Sequence, residues 1–216
     1  QSAIRNSVAG GARNAASSAN APLVLLYFPM SATKLQVALD FVDLERALKV
    51  AAAAVEGGAD YIEAGTPLIK SEGLDAVRRL RAAFPGRTLI ADMKTMDAGR
   101  IETEAAAKAG ANIITVCAAA SPATVRECVE AGKHYGIDVA VDLLGLDDPA
   151  AFAATAAELG VAWLDVHCPI DAQMAGADPL EQLRSVRRAT SLVLAVAGGI
   201  NSETAAAAVQ AGADVV

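Results

Sequence analysis

The stretch ADMKTMD, residues 91–97, ends an apolar run, TLIA, with acid, base and acid: Asp92, Lys94 and Asp97. Two positions apart on a strand, Asp92 and Lys94 share a face, and each stabilises the other's charge. The lysine is thereby kept protonated, as an acid and an electrostatic anchor, and is a poor nucleophile. Asp97 stands three residues further on, at the expected start of a helix, where a plain helix cap is the alternative role. Glu63 closes another apolar run, YIEA. With Asp92 it makes a carboxylate pair suited to a hard divalent cation such as Mg²⁺, which takes one or two protein carboxylates and completes its shell with water and substrate oxygens. Pairing with Lys94 or Lys70 is the alternative for Glu63. Asp40 and Asp142 end two more such runs, where they either cap a helix, orient a neighbour or face a site, and His167 ends a further one, where it can exchange a proton with a substrate hydroxyl. In AVAGGINSET, 195–204, the pair Gly198–Gly199 lets backbone amides approach an anion at the start of a helix, which makes a phosphate cradle.

These groups need a frame that brings them to one place. GGADYIEAG, AGANIITVCA, LGVAWLDVH and AGADVV recur at intervals of roughly fifty residues, with Gly58, Gly110, Gly160 and Gly212 in equivalent places. Between them lie LQVALD, TLIADMK, IDVAVDLL and SLVLAVA. All eight runs are short, rich in Val, Ile and Leu, and bounded by Gly, Pro or charge, as strands buried on both faces are. Most of the stretches between them open on Ser, Asp or Asn and most end on Gly, which reads as helix. SEGLDAVRRLRAAFPG is expected to be one helix, and Met93 and Met96 are read as packing. Alternation without hairpin signals predicts a parallel (β/α)8 TIM barrel over 34–216, with a doubly wound sheet as the other architecture. In such a barrel the ends of the strands carry the chemistry, and every residue singled out above sits at one.

The chain has 216 residues, a formal charge of −7, 54% hydrophobic and 4% aromatic residues, so its core is built from Ala, Val, Leu and Ile. No Lys/Arg block exists to bind nucleic acid or an anionic membrane, and no apolar run reaches the ~20 residues of a membrane span. Cys117, Cys128 and Cys168 show neither zinc-site spacing nor a disulfide framework, which predicts free thiols in a reducing cytoplasm. Residues 1–33 contain no acid and do not fit the barrel, and Met30 offers an internal start. AGADVV stops at Val216 midway through the eighth strand, so a barrel truncated within strand 8, of low stability and little turnover, is the expectation.

LQVALD, YIEAGTPLIKSEG, ADMKTMDAG, VDLLG, VHCPIDAQMAG with PLEQL, and VAVAGGIN together resemble the 3-hexulose-6-phosphate synthases of the orotidine 5'-monophosphate decarboxylase suprafamily, over about Lys34 to Val216. The resemblance implies a Mg²⁺-dependent aldehyde-lyase, a homodimer with shared active sites, that adds formaldehyde reversibly to D-ribulose 5-phosphate through an enediolate. It further implies that Glu63 and Asp92 bind the metal, Lys94 stabilises the enediolate, and Asp97 reaches the neighbouring subunit's site. Asp40 and Asp142 would hold substrate hydroxyls, His167 would transfer a proton, and Gly198 and Gly199 would hold the phosphate. The 3-keto-L-gulonate-6-phosphate decarboxylases resemble the chain at the same strand ends, but carry an arginine where this chain has Ile170. A non-catalytic barrel module of a fused protein is the alternative of another kind.

Overall fold

The computed structural model describes residues 32–216, so the extension expected over 1–33 lies outside the described residues apart from its last two. Seven parallel strands lie side by side in chain order: β1 (Gln36–Leu39), β2 (Tyr61–Ala64), β3 (Thr88–Thr95), β4 (Ile113–Cys117), β5 (Asp138–Asp142), β6 (Trp163–His167) and β7 (Val193–Ala197). A doubly wound sheet would require that order to reverse at one point. Here the order never reverses, as consecutive strand–helix–strand crossovers of the usual right hand require for a sheet that curls. Val215 makes parallel bridges to both Lys34 and Ala195. Lys34 N and Gln36 N donate to Asp214 O and Val216 O at 2.9 and 2.7 Å, so residues 214–216 lie between the two edges of the sheet. The architecture is a curled, TIM-barrel-like α/β fold.

The helices are α1 (Leu44–Glu56), α2 (Thr66–Glu72), α3 (Asp75–Ala83), α4 (Gly99–Ala109), α5 (Pro122–Tyr135), α6 (Pro149–Ala156), α7 (Ile170–Met174), α8 (Pro179–Ala189) and α9 (Ala205–Ala211). Asp43, Ser121, Asp148 and Asp178 cap α1, α5, α6 and α8 through their side chains, each cap contributing about 1 kcal/mol. Three local expectations change. The helix expected over SEGLDAVRRLRAAFPG is shorter, α3 alone, because Gly73, at φ 65, breaks the chain before it; α2, with Pro67 in its first turn, is an additional helix that ends just inside that stretch. The five-residue α7 was not anticipated after His167. Asp97 is not the helix cap; Ala98, at φ 53, precedes α4, and Asp97 Oδ1 accepts from Ala98 N at 2.7 Å.

Strand alternation sorts the side chains into two layers. Ile62, Ala64, Ala91, Ile114, Val116, Val141, Leu164 and Leu194 face outward against Ala47, Leu68, Val77, Leu80, Ala106, Val125 and Leu183 of the helices, all of them buried. Inside, Ile90, Ile113, Ala140, Trp163, Ala195 and Val215 form a separate apolar plug with Tyr61 and Val193. Tyr61 and Trp163 meet there edge to face at 6.0 Å. Two residues further along the five strands β2 to β6, the interior turns polar: Glu63, Asp92, Thr115, Asp142 and Asp165 follow Tyr61, Ile90, Ile113, Ala140 and Trp163. The plug thus sets the floor on which the site stands.

The fifty-residue recurrence has a structural counterpart. Asp60, Asn112, Ala162 and Asp214 each donate their amide to the carbonyl of Leu35, Leu89, Val139 and Leu194 at 2.7 to 3.0 Å. In three of the four units the side chain also takes the amide of the same partner: Asp60 from Leu35, Asn112 from Leu89, Asp214 from Leu194. A cation braces each of these three, namely Lys34, Arg81 and Arg187. Ala162 has no side-chain acceptor to offer.

Candidate active site

β3 carries the centre of the site. Its register with β4 shifts between Ala91 and Thr95, and Lys94 sits in the left-handed region at φ 45, a conformation that costs a side-chain-bearing residue on the order of 1 kcal/mol or more. Lys94 N donates to Thr115 Oγ1 at 3.0 Å. Asp92 and Lys94 do meet, as the spacing predicts, but through this bulge rather than through regular alternation. Lys94 Nζ lies 3.0 Å from both oxygens of Asp92 and 2.8 Å from Asp142 Oδ2. Burial works to lower the lysine's pKa, but Asp92 and Asp142 outweigh it and hold the ammonium charged, above its ordinary value.

Asp92, only 5% exposed, is held on both oxygens. Thr115 Oγ1 donates to Oδ1 at 2.7 Å, and Thr66 donates to Oδ2 from Oγ1 at 2.6 Å and from its amide at 3.3 Å. Thr66 is the first residue of α2, so the unexpected early helix is what delivers it. Asp142, 1% exposed, accepts from Leu144 N at 2.8 Å on Oδ1, while its Oδ2 meets both Lys94 and His167 Nδ1, the latter at 3.0 Å. Burial pushes Asp142 upward, yet His167 and Lys94 bring its carboxyl below the ordinary value, so it stays ionised. An ionised carboxylate only accepts, which places the proton of neutral His167 on Nδ1 and leaves Nε2 as the basic nitrogen.

Glu63 accepts from Gln36 Nε2 at 2.5 Å rather than from Lys94 or Lys70. Burial, and then the charge of Asp92, push its carboxyl up to about 8. Gln36 Oε1 is buried without a partner beside it. Among the described residues no three His, Cys, Asp or Glu side chains are arranged as a metal cluster; a pair of carboxylates is what Mg²⁺ commonly takes. Asp40 lies at the mouth, raised above its ordinary value by burial and by Asp92. A Cβ on Gly65 would stand 2.1 Å from Asp40 Oδ1, so only glycine makes room for that carboxylate.

At the end of β7, Gly198 and Gly199 adopt φ 89 and 75. Both values lie in the region that glycine adopts freely, a turn of the kind that lets backbone approach a ligand closely. Asp97 stands apart. It is exposed on the β3–α4 loop, beside Met96 and Ile101, which are 52% and 70% exposed, so Met96 is not packed as expected.

Gln36, Thr66, Thr115 and Asp165 were not singled out from the sequence. Asp165 pairs in register with Asp142, and burial, Asp142, Glu63 and Asp92 raise it well above the ordinary carboxyl value. The alternation of Trp163, Asp165 and His167 was the available signal for it, and the step of two from Ile113 was the signal for Thr115. Nothing in the sequence marks Thr66 without knowing that α2 begins there.

The model of the "Orotidine 5'-phosphate decarboxylase / HUMPS family" matches residues 33–216. The 3-hexulose-6-phosphate synthase of Mycobacterium gastri is 38% identical over 84% of this chain and 87% of its own length. The crystal structure of the synthase from Salmonella typhimurium superposes with a TM-score of 0.81 at 35% identity, covering 85% of this chain and 87% of that one. A 3-keto-L-gulonate-6-phosphate decarboxylase from Vibrio cholerae gives 0.70 at 34% identity, covering 81% and 82%. A chain with the Asp92–Lys94–Asp142–His167 constellation, matched by the family over all but its first 32 residues, belongs to the orotidine 5'-phosphate decarboxylase / HUMPS family.

Proposed function

We propose that the protein is a lyase that adds formaldehyde reversibly to D-ribulose 5-phosphate, giving D-arabino-hex-3-ulose 6-phosphate, on a fold of the (β/α)8 barrel type. One observation carries the reading: an ammonium locked between Asp92 and Asp142 stands beside a histidine that the same Asp142 orients. The names of the relatives support it, since those nearest in identity cited above are synthases.

His167 Nε2 takes the C1 proton of the ketose. The electron pair left behind spreads onto the C2 oxygen, where the Lys94 ammonium faces it, and stabilisation of that developing charge is the main contribution. The C1 carbon of the enediolate then forms a bond to the formaldehyde carbon. The formaldehyde oxygen takes up the proton that His167 Nε2 removed, and the former C2 carbonyl becomes C3 of the product. Lys94 acts by charge alone, because a lysine held protonated cannot form a Schiff base.

Glu63 and Asp92 would hold Mg²⁺. The fit rests on the unpartnered oxygen of Gln36 beside Glu63, and on the burial and then the Asp92 charge that raise Glu63, both of which a bound cation would offset. When bound, the ion would polarise the ketose oxygens and lower the cost of enolisation. Asp40 and the remaining lone pair of Asp142 Oδ1 would receive substrate hydroxyls, and the Gly198–Gly199 turn the phosphate. In a homodimer, Asp97 would reach the partner's site, with exposed Met96 and Ile101 covered by the second copy. Three free, buried cysteines suit a cytoplasmic setting.

The decarboxylase reading is weaker on one point: Ile170, 71% exposed, offers no charge at the position where that group carries arginine. The test is paired: formaldehyde consumption with ribulose 5-phosphate, and CO₂ release from 3-keto-L-gulonate 6-phosphate, both with Mg²⁺. Formaldehyde uptake supports the proposal, CO₂ release alone moves the chain to decarboxylation, and silence in both favours a non-catalytic module.

A further inference from the structure

α7 is a helix that its own burial does not hold in place. It has five residues, none of them buried, and Ile170 and Met174 are 71% and 83% exposed. A single helical turn is unstable alone. On one side a cleft of about 720 Å³, lined by Leu146, Asp148, Ala172, Asp178 and Gln182, separates it from the β5–α6 loop and α8. On the other side it has a polar attachment. Gln173 Nε2 donates to Cys168 O at 2.8 Å, across the loop that follows His167.

The same two groups press on the glycine turn. A Cβ on Gly198 would stand 2.1 Å from Cys168 O and 2.8 Å from Gln173 Nε2, and one on Gly199 would stand 3.1 Å from Gln173 Oε1. Cys168 N donates in turn to Ala197 O at 3.0 Å. The amide's orientation follows from the carbonyl, which can only accept, so Nε2 faces Cys168 and Oε1 faces Gly199. Gln173 therefore touches the backbone next to His167 and the turn that would receive an anion.

We propose that Gln173 is a positioning residue that couples anion binding at the Gly198–Gly199 turn to the placement of His167. This rests on the reading of that turn as the phosphate cradle. An anion drawing in the turn moves the glycine backbone against the carboxamide, which transmits the shift through the Cys168 carbonyl to the neighbouring His167.

The chain holds two histidines, His134 and His167, so ¹⁵N-histidine labelling reads the coupling without turnover. Inorganic phosphate is titrated into the full chain and into Gln173→Ala and Gln173→Glu; the glutamate keeps the side chain's shape but cannot donate to Cys168 O. In the parent, phosphate is expected to shift the His167 resonances and leave those of His134, on α5, in place. In both variants the His167 shift is expected to vanish, and phosphate to bind about tenfold more weakly, as the loss of one hydrogen-bonded contact implies. Thermal midpoints should stay close together, because none of the five residues of α7 is fully buried. Equal His167 shifts in parent and variants, or a parent that binds no phosphate, overturn the proposal. A parent that shows the coupling but consumes no formaldehyde supports it while refuting the synthase reading.

Discussion

His167 Nδ1 lies 3.0 Å from Asp142 Oδ2, the oxygen that also receives Lys94 Nζ at 2.8 Å. One buried carboxylate thus sets the tautomer of the proposed base and half of the cage around the proposed electrostatic anchor.

Asp142→Asn removes both functions at once. The amide fills the same space but carries no charge, and it can present a donor to Nδ1, which favours the wrong tautomer. Turnover is expected to fall by about 10²- to 10⁴-fold, the range that a positioned acid–base group contributes, while circular dichroism stays that of the parent.

Lys94→Met tests the anchor directly. It leaves Asp92 and Asp142 buried without their cation, so we expect activity to drop by about 10²- to 10³-fold, and stability to fall as well. Sodium borohydride with ribulose 5-phosphate should not trap a covalent adduct in the parent, because no Schiff base forms. A trapped adduct on Lys94 would refute the mechanism.

Glu63 makes the metal-free protein's stability depend on pH. Its folded pKa, about 8, stands above the ordinary 4.5, so the folded state binds the proton more tightly than the unfolded chain does. The resulting stabilisation is complete below about pH 4.5 and is lost as pH rises through about 8. Urea midpoints should therefore fall for the parent across that window, and Glu63→Gln should flatten that part of the slope. Parallel slopes for the two proteins would exclude Glu63 as the source.

Gly198→Ala should damage the phosphate turn. The added Cβ would meet Cys168 O at 2.1 Å, at a φ of 89 that suits glycine alone. We expect a loss of at least about 1–3 kcal/mol in stability and a raised KM for ribulose 5-phosphate, read by urea titration and by initial rates.

The recurrence of Asp60, Asn112 and Asp214 predicts a role in folding rather than in chemistry. Asn112→Ala deprives Leu89 N and Arg81 of an acceptor and should cost about 1–3 kcal/mol. Its kcat should match the parent's, since the residue lies at the opposite end of the strands from the site.

The strands were legible because parallel strands buried on both faces leave continuous apolar runs, and although any one acid ending such a run has a structural role open to it, several converging on one mouth do not. That is why Asp92, Lys94, Asp142 and His167 could be named in advance and are found together. The polar second step of the interior was less visible. Thr115 and Asp165 follow only once a residue's face is assigned, and the β3 bulge at Lys94 alters that assignment locally. α2 and α7 were missed because five to seven residues show too little periodicity, and with them Thr66 was missed. Asp97 was legible as a residue, but within one chain it meets none of the others.

The most direct test of the central claim follows the new carbon–carbon bond itself. [¹³C]formaldehyde and ribulose 5-phosphate are incubated with the protein and Mg²⁺, and the label is located by NMR. The ¹³C should appear as C1 of a hex-3-ulose 6-phosphate, coupled to its new neighbour, and Asp142→Asn should slow its appearance. Label that remains in hydrated formaldehyde, with a folded protein that releases CO₂ from 3-keto-L-gulonate 6-phosphate, would contradict the synthase reading.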